Sequence, residues 1–181
     1  CSSRGGTLRI TGDSPFTTDR PFSFQSTTPS ELLLDIVGNG DMTFTGTASS
    51  STETGAKVLR LGGNGTGIKT YAGAITKTSQ GPLSLIKQGQ SEWQLSGAND
   101  LTAITLLQGT LITANPASLK AASDVALAGG TLRVTTDALN PDGTFTASPF
   151  SVNGPATLSL ATGSSDVRLP ALTLLAGGTL D

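Results

Sequence analysis

At 181 residues the chain is long enough for one sizeable core, and its 11 Lys+Arg against 13 Asp+Glu leave a net charge of −2, with no basic footprint for nucleic acid. Only 13% of residues are charged and 4% aromatic, with 23 glycines among abundant Ser and Thr, yet Leu is plentiful and evenly spread, which argues against a charged, disordered chain. There is no histidine and one cysteine, so Ser-His-Asp or Cys-His catalysis, imidazole or thiolate metal sites and an internal disulfide are excluded, and no run of 18 apolar residues offers a membrane span.

The chain opens on "CSSRGGTLRI", without the basic region and apolar core of a signal peptide. Cys1 reads either as the acylated first residue of a mature lipoprotein or as the edge of a fragment. "MTFTG" (Met42–Gly46) alternates apolar and polar residues, as a half-buried strand does. The Ser/Thr tract "TGTASSSTETGAK" (Thr45–Lys57) reads as a solvated loop, and as a protruding binding loop if the protein recognises a glycan or another protein. "GGNGTGIKT" (Gly62–Thr70) approaches a phosphate loop, but Ile68 separates Gly67 from Lys69. Gly73, Gly81 and Pro82 then prevent the helix such a loop requires. The same stretch has Gly67 where a G-G-x-G-x-D calcium repeat needs Asp, so it reads as a corner between strands. "LSL" (Leu83–Leu85) and "EWQLSG" (Glu92–Gly97) read as strands, with Trp93 and Leu95 on one inward face. "NPASLKAAS" offers Asn115 as a cap and Pro116 as a first helical residue, for at most a turn or two of helix. "TLSLA" (Thr157–Ala161) is again a strand.

Self-similarity organises these pieces. "ITLLQGTLIT" (Ile104–Thr113) aligns with "VALAGGTLRV" (Val125–Val134) at an offset of 21 residues, placing Leu106 on Leu127 and Leu111 on Leu132. A period in the low twenties is too short for a pair of helices and suits one coil of a β-solenoid. Each coil offers too few apolar side chains to bury alone; stacked coils pair backbone to backbone and align those side chains in ladders, with glycine relieving the corners. About eight rungs and little helix follow, as one all-β segment spanning 1–181, with Trp93, Leu95, Leu106, Leu111, Leu127 and Leu132 in the core ladders. A longer echo pairs "GGTLRI" at Gly5 with "GGTLRV" at Gly129, "PFSF" at Pro21 with "PFSV" at Pro149, and "PSELLLDI" at Pro29 with "PATLSLAT" at Pro155. It reads either as a duplicated block of rungs or as the sameness of all rungs. Rung phrases also sit at both ends, "GGTLRI" from Gly5 and "LAGGTLD" up to Asp181, with no polar cap. The expected partners are therefore other copies or flanking repeats, end to end.

The segment Gly81–Val134 resembles the autotransporter-associated β-strand repeat of bacterial passenger domains, which runs roughly G-x-L-x-L-x-K-x-G-x-G-x-W/L-x-L-S-G-x-N-x-Y-x-G-x-T-x-L-x-x-G-x-L. Leu83, Leu85, Lys87, Gly89, Trp93, Leu95, Ser96, Gly97, Asn99, Thr105, Leu107, Gly109 and Leu111 match, whereas Ser91, Leu101 and Ala103 depart from it. The resemblance implies a right-handed parallel β-helix, extracellular or on the outer surface of a Gram-negative-type cell. It implies a structural role as passenger, stalk or filament, with adhesion to a surface glycan or protein as an extension. The alternative is a carbohydrate-binding or polysaccharide-degrading β-helix, whose catalysis needs clustered carboxylates. The candidates are Asp35 with Asp41 and Asp137 with Asp142, but both pairs sit among Gly, Asn and Pro, where Asp ordinarily makes turns. No catalytic residue, cofactor or metal ligand is assigned, and the expectation is a protein that is not an enzyme.

Overall fold

A computed structural model describes residues 2–3, 5–25, 28–50, 54–77, 81–119, 124–138, 149–160 and 172–174. Cys1, Asp142 and the closing "LAGGTLD" phrase lie outside the described residues. The chain winds as a parallel β-solenoid with, among the described residues, three sheets of eight, seven and four strands. The first sheet stacks Gly6–Ile10, Ser30–Ile36, Lys57–Gly62, Leu83–Lys87, Ala103–Leu106, Val125–Leu127, Phe150–Val152 and Leu172–Leu174. The second stacks Phe16–Thr18, Met42–Phe44, Lys69–Tyr71, Glu92–Leu95, Thr110–Thr113, Gly130–Val134 and Ala156–Leu160. Among the described residues the third holds Ser2–Ser3, Phe22–Phe24, Ala48–Ser50 and Ile75–Thr76. Among the described residues seven coils thus carry strands on both larger sheets and one strand of an eighth is placed, a slight difference from a full eight rungs. The only helical element among the described residues is a 3-10 turn, Thr136–Ala138.

Alternation along each strand, stacked in parallel register, turns the sequence into columns. On the first sheet Leu8, Leu34, Leu61, Lys87, Leu106, Leu127 and Val152 follow one another in one column. On the second, Phe16, Met42, Lys69, Trp93, Leu111, Leu132 and Leu158 form one column, and Thr18, Phe44, Tyr71, Leu95, Thr113, Val134 and Leu160 form the next. Trp93, Leu95, Leu106, Leu111 and Leu132 have no exposed surface and Leu127 almost none, so these columns are the core. Phe44 anchors it, with ring centroids 6.0 Å from Tyr71 and 5.9 Å from Trp93 in stacked orientation.

Three expectations change. First, the coil is not of constant length. Partners are 26 residues apart at Leu8–Leu34, 27 at Met42–Lys69, 18 at Trp93–Leu111 and 21 at Leu111–Leu132. The long coils carry a third-sheet strand, and the coils from Leu83 to Thr113 run on without one. Asn99 marks the change: its Oδ1 accepts from Ile75 N (2.9 Å) and its Nδ2 donates to Ser118 O (2.6 Å), while Asp100 N donates to Ile75 O (2.8 Å). The exposed edge of the last third-sheet strand is thereby satisfied without another strand. Second, the long echo is not a spatial repeat. "GGTLRI" lies on the first sheet and "GGTLRV" on the second, while "PFSF" lies on the third and "PFSV" on the first. Any face of a solenoid accepts the same alternating phrase, so sequence likeness does not fix the face. Third, where at most a turn or two of helix is expected, residues 115–119 make a turn and 120–123 lie outside the described residues; Asn115 Oδ1 caps Ala117 N at 2.8 Å.

Candidate functional site

The corner between the first and second sheets is built from glycine and lysine. Gly63, Gly89, Gly109 and Gly130 occur there with positive φ, at 115°, 71°, 72° and 73°. A Cβ on Gly109 would lie 2.3 Å from Gly89 O, so these corners stack backbone on backbone with no room for a side chain. In "GGNGTGIKT" the same closeness holds, since a Cβ on Gly65 would meet Gly38 O at 2.0 Å and one on Gly67 would meet Asn39 O at 2.3 Å. This stretch is a packed corner with no phosphate cradle. Corner side chains also tie consecutive coils together. Asp13 Oδ1 accepts from Asn39 N at 2.8 Å, and Asn39 Oδ1 accepts from Thr66 N at 3.2 Å.

Turning corners bring carbonyl oxygens inward, and buried lysines meet them. Lys87 occupies an inward position of the first sheet with no exposed surface. Its Nζ donates to Gln88 O (2.9 Å), Gly89 O (2.7 Å) and Gln108 O (3.0 Å), joining two successive coils. Burial pushes its pKa down to about 8. Lys69 Nζ donates to Gly40 O (3.0 Å) and Gly67 O (2.7 Å). Its pKa is also lowered by burial, with the Asp41 carboxylate pulling the other way. Because Lys69 turns to the corner, the column below it continues with Trp93, whose Nε1 donates to Gly62 O at 3.1 Å. Trp93 is therefore a core residue and offers no surface for stacking a sugar. Sequence reasoning missed the corner roles of Lys69, Lys87 and Asn99. The available signal was a lysine falling on the inward phase of an alternating strand.

The carboxylates have other employment. Asp35 faces Arg9 on the neighbouring coil at 3.4 Å, and Asp41 Oδ1 accepts from Ile68 N at 2.8 Å. Glu31 and Arg60 form a two-pronged pair at 2.8 and 2.9 Å, which holds the Glu31 carboxyl below its usual range, and Arg60 also reaches Gln88. Asp137 is exposed on the 3-10 turn. Among the described residues no group of three or more His, Cys, Asp or Glu is placed to hold a metal ion. The polar loop expected over Thr45–Lys57 is corrected: Ala48–Ser50 is a third-sheet strand with Ala48 and Ser50 buried, and Lys57 is buried too. Residues 51–53 lie outside the described set.

A concave apolar surface lies at the end of the solenoid where the first described coil is. Leu8 and Ile10 of the first sheet, Phe16 and Thr18 of the second and Phe22 of the third surround a cavity of about 320 Å³ floored by Phe44, with Arg20 its one charged lining residue. Leu8 and Phe16 are 38% and 45% exposed there.

A parallel β-solenoid with glycine-lysine corners fits an autotransporter β-helix passenger, and Lys87, Gly89, Trp93 and Asn99, on which the family resemblance rests, each close a corner or a column in it. Over 108 residues, 59% of its length, the chain is 32% identical to an autotransporter adhesin, Adhesin BmaC autotransporter of Brucella suis biovar 1 (strain 1330). The match spans only 3% of that relative's length. No family model matches the chain. No solved structure matches it. Among the described residues no helix is long and apolar enough to cross a membrane, which says nothing of a β-barrel.

Proposed function

We propose that this chain is a rigid, non-enzymatic segment of a surface-displayed, autotransporter-type adhesin, on the outer surface of a Gram-negative-type bacterium or released from it. Residues 1–181 act as one solenoid piece of a longer repetitive protein. The observation that carries this reading is the unbroken eight-strand first sheet, with inward lysines satisfied by corner carbonyls and outward carboxylates committed to neighbouring coils. Such a stack transmits length and stiffness and needs no cofactor. Its partners are flanking repeats or other copies at its ends, and contact with a surface glycan or protein belongs to the assembled adhesin.

The test is removal of one coil. Excising residues 104–124 from the full-length protein brings Val125 into the place of Ile104, whose own register partners are Leu85 and Val125. A spacer tolerates this: the shortened protein is displayed and adheres as before, and a second variant with that coil duplicated does too. Loss of adherence by both variants, with display and β-sheet content intact, would instead place the binding function in this segment.

A further inference from the structure

Within the packed corner "GGNGTGIKT", Asn64, Gly65 and Thr66 read Asn-x-Thr with no proline between them. This is the sequence at which a sugar is joined to an asparagine carboxamide. The chain has six asparagines, and the other five fail the pattern. Asn39, Asn99, Asn115, Asn140 and Asn153 are followed two places on by Asp41, Leu101, Ala117, Asp142 and Pro155. A Ser/Thr-rich chain reaches such a match by chance, so the fold must decide whether this one is usable.

The corner that holds Asn64 is longer than the one laid over it. Between the register pairs Leu61–Lys87 and Lys69–Trp93 it runs seven residues, 62–68, where the following coil runs five, 88–92. The shorter corner leaves Asn64, Thr66 and Ile68 exposed, and the Asn64 carboxamide has no partner among the described residues. The backbone around it is fixed from the other side. Gly65 N donates to Ile36 O at 3.4 Å, and Thr66 N and Oγ1 donate to Asn39 Oδ1 at 3.2 and 3.3 Å. A Cβ on Gly65 would meet Gly38 O at 2.0 Å, so glycine alone fits the middle position while both flanking residues stay exposed. Asn39, Asn99 and Asn115, by contrast, commit their carboxamides to backbone groups.

We propose that Asn64 is an N-glycosylation site, modified by a glycosyltransferase of the producing cell. The donor is an activated hexose whose anomeric carbon is bound through oxygen to a phosphate. Nδ2 of Asn64 attacks that carbon, and the new C–N bond forms as the C–O bond to phosphate breaks. The phosphate leaves with the bonding pair, and one Nδ2 proton passes to a base of the transferase. The closed corner dictates the order of events. Thr66 N and Oγ1 are tied to Asn39 and Gly65 lies against Gly38, so a transferase can grip residues 64–66 only before this coil docks on the preceding one. The finished solenoid accommodates the product, because the exposed carboxamide loses no hydrogen bond when it is substituted.

The test is mass spectrometry of the full-length protein recovered from the cells that produce it. Arg60 and Lys69 bound a tryptic peptide, residues 61–69, that contains the whole pattern. One hexose from a nucleotide-linked donor adds about 162 Da at Asn64, and a glycan preassembled on a lipid carrier adds a larger block; either result supports the inference and identifies the donor. The adduct is expected to vanish in Asn64→Gln and Thr66→Ala and to persist in Thr66→Ser. Asn64→Gln should melt with the wild-type fold, which separates loss of the sugar from loss of the coil. An unmodified 61–69 peptide overturns the inference. A gain of about 1 Da alone also does, since it marks attack of Gly65 N on the carboxamide, loss of ammonia and hydrolysis to a carboxylate. An adduct that survives Asn64→Gln overturns it too, by placing the sugar on Thr66 Oγ1. Neither display nor adherence enters this readout, so the spacer reading stands or falls separately.

Discussion

Replacing Lys87 by Met keeps the stem of the side chain and removes the ammonium from three carbonyls, those of Gln88, Gly89 and Gln108, at 2.7–3.0 Å. Each orphaned buried acceptor costs about 1 kcal/mol or more, so at pH 7 the variant should be less stable by a few kcal/mol, reduced by release of the charge from its buried position. The pH dependence separates the two effects. The unfolded lysine titrates near 10.5 and the folded one near 8, a difference worth about 3 kcal/mol. Between those values the unfolded chain binds more protons, so this group makes stability rise with pH. The burial penalty is full below about pH 8 and gone above about 10.5. Urea unfolding followed by circular dichroism at pH 7 and at pH 10.5, on the wild type and Lys87→Met, cancels the other titrating groups to first order. The stability gap between the two proteins should widen at high pH by up to about 3 kcal/mol. A gap that narrows instead would mean that the carbonyls favour the charged amine more than burial opposes it, and the account of the corner would be wrong in sign.

Tyr71 Oη is buried and has no hydrogen-bond partner among the described residues, so Tyr71→Phe should leave stability unchanged or raise it by about 1 kcal/mol in thermal or urea melts. Gly109→Ala must hold a side chain at φ 72° with its Cβ 2.3 Å from Gly89 O, and a loss of more than about 2 kcal/mol is expected by the same assay. Leu111→Asp buries a charge between Trp93 and Leu132 with no partner in the column, and should destabilise by more than about 4 kcal/mol or prevent folding.

Strand alternation and the recurring Gly-Thr-Leu phrase carried much of this fold in the sequence. The 21-residue offset of Leu106 and Leu127, and of Leu111 and Leu132, is their strand register. Coil length was less legible, because it depends on how each corner turns and on whether a third strand is present. Ala48–Ser50 and Ile75–Thr76 are too short and too polar to stand out, and the first of them hid inside what read as a solvated loop. The lysines were opaque for a related reason. A charge belongs inside only where converging carbonyls receive it, and those appear once Gly89 and Gly109 adopt positive φ in adjacent coils. The face on which a phrase falls was also beyond reach, as the two copies of "GGTLR" on different sheets demonstrate.

Pulsed electron spin resonance between positions along one column of the second sheet measures the stack directly. Thr17, Thr43, Thr70, Gln94, Ile112, Arg133 and Ser159 follow one another in register along one column. With Cys1 replaced by serine and spin labels placed in pairs, Thr43 and Arg133 are four strand spacings apart, about 19 Å, and Thr17 and Ser159 six, about 29 Å. Distances that grow by one strand spacing per coil crossed, with narrow distributions in both pairs, are expected. Separations that do not scale with the number of coils, or broad distributions beyond about 40 Å, would contradict the solenoid.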